Sequence, residues 1–178
     1  MKIAILGWGS LIWDQRELPT LGEWKKGGPV LPIEFSRISS DGRLTLVIDE
    51  ENGVPVTTRY AQSASGDLGR AIEDLSQREG SPASRIGVVS QTIQNKRAGF
   101  ETIKAWAKTH KWDAVVWTGL HSNFKDERQV PFTVKNGLGY LKSLSGEKKA
   151  KAREYLERAP EEVQTPLRKA IGEIGWTA

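Results

Sequence analysis

Glu79 closes a run in which Leu68, Ile72, Leu75 and Glu79 follow one another at intervals of four, three and four residues. On a helix those intervals bring all four side chains to one face, so the carboxylate joins an apolar stripe. It also falls in the last turn before the stop Gly80, where the helix dipole disfavours an anion. Desolvation and dipole both raise the proton affinity of such a carboxyl, which suits a group that takes and returns a proton near neutral pH. Glu73 and Asp74 lie off this stripe and are expected as surface charges.

The second constellation is the loop Gly7-Trp8-Gly9-Ser10-Leu11, which follows the short apolar strand Lys2–Leu6. Alternating glycines let backbone N–H groups approach a ligand closely, and a concave run of amides can hold a carboxylate. A plain tight turn after an edge strand would use the same residues. A dinucleotide fingerprint fails here, because Ile12 stands where a third small residue is needed. No Gly-Lys-Ser/Thr follows to make a phosphate loop, and Trp8 and Ile12 replace the glycines that would flank a nucleophilic Ser10. Metal binding is not expected, since the histidines are only His110 and His121, eleven positions apart, and there is no cysteine. His110 falls at a helix end, where a charged ring favours the dipole. His121 and Asn123, in the loop Gly119–Phe124 after a buried strand, are further candidates for a pocket.

The elements that must position these groups read as α+β. Strands are expected at Lys2–Leu6, Val30–Ile38, Leu44–Ile48 and Val54–Ala61, with Ser39-Ser40-Asp41-Gly42 and Glu50-Glu51-Asn52-Gly53 between the last three. Those Asp-Gly and Asn-Gly separators suit tight hairpins, so an antiparallel meander is expected. A short helix is expected over Glu17–Lys26, closed by Gly27-Gly28-Pro29. Helix Asp67–Glu79 follows, then strand Arg85–Ser90, helix Arg97–His110 and strand Asp113–Thr118, which together suggest a parallel crossover. Leu138–Leu144, Glu147–Ala159 and Pro166–Ile174 read as helices, with Ser145 and Thr165 as caps. One domain is expected over residues 1–178, with a mixed-sheet core at 1–135 and a helical C-terminal extension at 136–178.

The two constellations together resemble a known family. Ile5-Leu6-Gly7-Trp8-Gly9-Ser10-Leu11-Ile12-Trp13 resembles the Tyr-Gly-Ser-Leu signature of γ-glutamylcyclotransferase-like proteins, in its ChaC-type variant, with Trp8 in the tyrosine's place. Leu75-Ser76-Gln77-Arg78-Glu79-Gly80 resembles the segment that carries that family's catalytic glutamate. The resemblance covers roughly residues 1–80. It implies a mixed, barrel-like sheet with flanking helices and a reaction that needs no cofactor. In that reaction the α-amine of a γ-glutamyl group attacks its own side-chain carbonyl, forming 5-oxoproline and expelling the attached amine. By resemblance, Gly7 to Leu11 would line the pocket and hold the substrate carboxylate, and Glu79 would carry the proton. Trp8 lacks the phenol hydroxyl of the usual tyrosine.

Other readings stay open: a non-catalytic small-molecule-binding module of the same fold, or an interaction protein using its helical tail. The net charge of +4 and the basic stretch Lys148, Lys149, Lys151 and Arg153 invite an acidic partner. Interleaved with Glu147 and Glu154, that stretch reads as a solvated helix face, and nucleic acid is not the expected partner. No run approaches the roughly 18 apolar residues of a membrane span, and no secretory pattern opens the chain, so a cytoplasmic protein with a small γ-glutamyl substrate is expected.

Overall fold

A computed structural model describes residues 1–176. The described chain is α+β, with strands β1 (Ile3–Gly7), β2 (Thr20–Ile38), β3 (Leu44–Ile48), β4 (Val54–Ser63), β5 (Ile86–Ser90), β6 (Gln94–Asn95) and β7 (Ala114–Thr118). Its helices are α1 (Leu68–Glu79), α2 (Phe100–Thr109), α3 (Phe124–Arg128), α4 (Val134–Ser143), α5 (Gly146–Arg158) and α6 (Pro166–Glu173). The strands form one mixed sheet in the order β3-β2-β4-β1-β7-β5-β6. That order ends on two different strands, so the sheet is open and the expected barrel closure is absent.

The chain divides into two compact units: Met1–Leu31 with Thr57–Leu120, and Pro32–Val56 with the chain from His121 onward. The long strands β2 and β4 run through both. In the first unit β1 pairs antiparallel with β4 and parallel with β7, while β5 pairs antiparallel with both β7 and β6. Ile3 and Ile5 of β1, Val116 of β7 and Ile86 and Val88 of β5 form one buried face, against which α1 lays Leu68, Ala71 and Leu75. Side chains alternate across a strand, so a strand covered on one side by a helix commits every second residue to that helix.

Three elements depart from expectation. Glu17–Lys26 is not a helix; from Thr20 onward it is the first half of the 19-residue strand β2. Gly22 and Gly27 take φ of 77° and 91°, which interrupt a helix, and Leu21 is 55% exposed, so no continuous apolar stripe exists to bury. Gly28 sits within the strand because a Cβ there would lie 2.8 Å from the Thr58 carbonyl oxygen of β4. The meander is also absent: β2 lies between β3 and β4. A Cβ on Gly53 would collide with the backbone of Asp49 and of Pro32, so the chain after β3 passes hard against β2 and does not fold back on β3. Finally, β5 and β7 are antiparallel, and the parallel partner of β7 is β1. The cause is the short strand β6, which reverses the chain before α2 and adds one traverse to the expected crossover. Ser90 Oγ fixes that reversal by accepting from the amides of Thr92 at 3.3 Å and Ile93 at 2.8 Å.

In the second unit the hairpin of β2 and β3 turns through Gly42 at φ 85°, where Gly42 N–H donates to the Ser39 carbonyl at 2.9 Å. The C-terminal helices attach to this hairpin. Tyr140 Oη donates to the Gly42 carbonyl at 2.7 Å, and Tyr155 meets Phe35 edge-on at 6.3 Å. Residues 121–135 group with these helices in the second unit. Thr165 caps α6 as expected, accepting from Arg168 N–H at 3.3 Å, with Pro166 at the first helical position. Ser145 is the N-cap residue of α5 but makes no side-chain capping bond.

Candidate functional site

The site is built at the C-terminal end of α1. Asp67 caps its start by accepting from Arg70 N–H at 2.8 Å. At the other end Gly80 takes φ 59°, Gly80 N–H donates to the Gln77 carbonyl, and Ser81 N–H donates to the Ser76 carbonyl, each at 3.1 Å. This paired closure is a Schellman motif, which fixes the last turn against fraying. Glu79 is therefore held, and its side chain is 15% exposed.

Its partner is the preceding residue. Neighbours one apart do not face each other on a helix surface. Here, however, Arg78 curls inward, 5% exposed, and Nη1 donates to Glu79 Oε1 at 2.7 Å. The other guanidinium nitrogens reach the N-terminal loop: Nη2 meets the Asp14 carbonyl at 2.5 Å and Ser10 Oγ at 3.3 Å, and Nε meets the Asp14 carbonyl at 3.2 Å. One buried cation thus joins Glu79 to Ser10. Arg16, at φ 52°, donates to the Arg78 carbonyl at 3.1 Å and so neutralises part of the helix end.

Two opposed influences act on the Glu79 carboxyl. Burial raises its proton affinity and is the larger; the Arg78 charge and hydrogen bond, with Arg16 behind them, pull it back. The net direction is upward from the ordinary glutamate value of 4.5. The direction is the one expected from burial, with Arg78 as an opposing partner that the spacing does not reveal.

The loop itself differs in detail from an alternating nest. Neither Gly7 nor Gly9 has positive φ, and Ser10–Ile12 forms a single 3-10 turn closed by Ile12 N–H on the Gly9 carbonyl at 3.0 Å. The amides at the start of that turn have no acceptor within it. Gly7 is required for a different reason, since a Cβ there would stand 2.8 Å from the Trp24 ring. Trp8 and Leu11 are buried at 6% and 5% exposure, and Leu11 belongs to the core under α1. Of the loop residues, Ser10 is the one whose side chain meets the Glu79–Arg78 pair.

Beyond Ile12 opens a cleft of about 520 Å³, lined by Ile12, Gln15, Thr20, Gly22, Glu23, Trp24 and Arg59. Its size suits a small ligand. Trp24 Nε1 donates to Gln15 Oε1 at 3.2 Å, and Gln15 Nε2 donates to Thr20 Oγ1 at 2.9 Å. Glu79 does not line this cleft; the two adjoin the same loop, at Ser10 and at Ile12.

The second unit holds the remaining candidates. The His121 carbonyl accepts from Arg37 Nη1 at 2.9 Å. Asn123 is spent on the backbone of β2, accepting from Ile38 N–H at 2.7 Å and donating to the Ile38 carbonyl at 3.0 Å. That side chain imitates a strand partner. Among the described residues no group of three or more His, Asp or Glu side chains is arranged to hold a metal.

Models of known families, curated proteins and solved structures give no match to the chain. The local chemistry therefore carries the argument.

Sequence reasoning missed Arg78, Arg59, Trp24 and Gln15, and misplaced Asp74. Asp74 is 6% exposed and binds Arg70 Nε at 2.8 Å, so it is no surface charge. The buried side of α1 follows Ala71, Asp74, Leu75 and Arg78, a face rotated from the one drawn through Ile72 and Glu79. Helical spacing is compatible with either face, and the one through Ile72 and Glu79 is the more apolar; apolarity alone leaves out that a buried arginine can supply donors to a loop.

Proposed function

We propose that the chain is a γ-glutamylcyclotransferase-like enzyme, closing a γ-glutamyl group to 5-oxoproline and releasing the attached amine or amino acid. Glu79 is the general base and acid. It accepts a proton as the substrate's α-amine nitrogen bonds to the γ-carbonyl carbon, and returns one to the leaving nitrogen as the original amide C–N bond breaks. The attack is intramolecular, so holding the substrate in a bent conformation supplies much of the rate, and one proton carrier completes it. The loop from Gly7 to Leu11 provides the wall and backbone donors for the substrate head. No cofactor is needed.

The observation that carries this reading is the sheltered Glu79 carboxyl, tied by Arg78 to Ser10 and raised in proton affinity by burial. Its test is a panel of γ-glutamyl peptides and amines assayed for 5-oxoproline. Turnover is expected, and Glu79→Gln should lower kcat by about 10²–10⁴-fold, the usual share of a general acid–base. Undiminished turnover in that variant would remove Glu79 from the chemistry.

The 2.7 Å ion pair also favours a second reading, in which Glu79 is a fixed structural partner of Arg78 and the protein binds small molecules without converting them. Ligand binding with no 5-oxoproline from any member of the panel would select it.

A further inference from the structure

The second unit has a cavity of its own, of about 410 Å³, where the ends of α3 and α4 and the start of α5 meet strand β2. Tyr140 organises it. Its Oη donates to the Gly42 carbonyl at 2.7 Å, and Phe124 meets its ring edge-on at 6.1 Å. The guanidinium of Arg128 lies over that ring, 5.2 Å from its centroid, a cation–π contact. Lys148 joins the same group: a Cβ on Gly42 would stand 3.2 Å from Lys148 Cδ and 3.4 Å from Tyr140 Oη. The lysine stem and the phenol thus flank one turn, and both cations line the cavity.

Ion pairing does not explain either position. One helical turn from Lys148 stand Leu144, Ser145, Lys151 and Ala152, and one turn before Arg128 stand Phe124 and Lys125, none of them acidic. By contrast, Lys151 and Arg158 each bond a glutamate one turn earlier, at 2.7 Å and 3.1 Å. Among the described residues neither Arg128 nor Lys148 forms an ion pair. Lys148 also falls in the first turn of α5, where the helix dipole disfavours a cation. Asp41, which acts on Tyr140, is already bound to Arg43 Nε at 2.9 Å. Two positive charges therefore share one cavity without a counter-ion.

A phosphate monoester supplies what they lack. It carries nearly two negative charges near neutral pH and three strong acceptor oxygens. The planar fork of Arg128 matches two of those oxygens, and Lys148 is a point charge for the third. Ser145 lines the same cavity and makes no capping bond, so its hydroxyl is left to donate. Glu127 brings a carboxylate to the cavity; it opposes a second phosphate and accepts hydrogen bonds from hydroxyl groups. The volume is that of a small-molecule site. We infer that this cavity binds a small phosphorylated sugar or polyol, with the phosphate on Arg128 and Lys148 and the hydroxyls toward Glu127. The site draws on residues of the second unit alone, and so stands whether or not Glu79 is catalytic.

The test is NMR titration of the whole chain with glucose 6-phosphate, inorganic phosphate and glucose. Glucose 6-phosphate should shift the amides from Ser143 to Lys148 and bind more tightly than inorganic phosphate, and glucose should not bind. Arg128→Gln and Lys148→Gln should each weaken the sugar phosphate by about tenfold, the worth of a hydrogen bond to a charged group. Arg128→Lys, which keeps the charge and loses the fork, should fall between Arg128→Gln and the wild type. Lys142→Gln removes the same charge from an exposed position outside the cavity and should change affinity by less than about twofold. Glu127→Ala should bring the affinities for the sugar phosphate and for inorganic phosphate closer together. Shifts confined to other amides overturn the inference. So does a loss in Lys142→Gln equal to that in Arg128→Gln, which would mean attraction to net charge alone. Inorganic phosphate bound as tightly as the sugar phosphate overturns the ligand class.

Discussion

Replacing Arg78 by methionine gives the sharpest measure of how the site is held. The substitution keeps an unbranched chain of similar reach in the buried space and deletes the guanidinium alone. Three partners lose their donor: Glu79 Oε1 at 2.7 Å, the Asp14 carbonyl at 2.5 Å and Ser10 Oγ at 3.3 Å. Removing one member of a buried ion pair costs about 3–5 kcal/mol, because the other charge is left uncompensated. Glu79 retains 15% exposure, which places the loss near the lower end, about 3 kcal/mol. The loss must also depend on pH. Arg78 is what draws the Glu79 carboxyl down against its burial, so in the variant that carboxyl holds its proton to higher pH. A protonated Glu79 needs no counter-charge, so the penalty is largest at pH 8 and shrinks toward pH 4.5, the ordinary glutamate value. Urea denaturation at the two pH values measures both effects. The double variant with Glu79→Gln should lose less than the two single losses added together, by about 1 kcal/mol or more. A variant within about 0.5 kcal/mol of the parent at pH 8 would refute the argument, since that is the range of surface substitutions. So would a loss that ignores pH.

Two further outcomes follow from single positions. Gly7→Ala should destabilise by about 1–3 kcal/mol and shift the Trp24 emission, because the new methyl would sit 2.8 Å from the indole; an unchanged spectrum and stability would show that the ring has room to move. Glu34 is 1% exposed, accepts from Phe35 N–H at 2.7 Å and from Leu167 N–H at the start of α6 at 3.5 Å, and is raised in proton affinity chiefly by burial. The folded state thus favours the protonated acid: its contribution is full below 4.5 and is lost as pH rises through the folded value. Glu34→Gln, neutral throughout, should therefore gain stability relative to the wild type as pH rises from 4.5 to 8 in paired denaturation curves, and a constant difference would exclude titration of this group.

What the sequence discloses is what short-range physics decides. Helix α1 ends at Glu79 as its apolar spacing and Gly80 require, the turn at Gly42 joins two strands, and Thr165-Pro166 opens α6. Each of these depends on residues within about a turn of one another. Some misreadings depend on a distant partner, and others on an element too short or too interrupted to show a period. Gly53 follows a tight turn, and only the backbone of Pro32 shows that the chain must pass and not return. Strand β6 is two residues long, too brief for any periodicity, yet it sets the direction of β7.

The candidate site divides along the same line. Glu79 is singled out by its helical spacing from Leu68, Ile72 and Leu75, although the buried face itself runs through Ala71, Asp74, Leu75 and Arg78, with Glu79 at its border. Arg78 is not singled out, because an arginine adjoining polar residues looks ordinary until a loop is brought beside it. Arg78 acquires meaning from Asp14 and Ser10, more than sixty positions earlier. Anions stand out in a sequence by being misplaced, whereas the cations that make them tolerable are identified by what they touch. A carboxylate on an apolar stripe is therefore grounds to look for a buried cation nearby, and here that cation is also the group that joins the proton carrier to the loop.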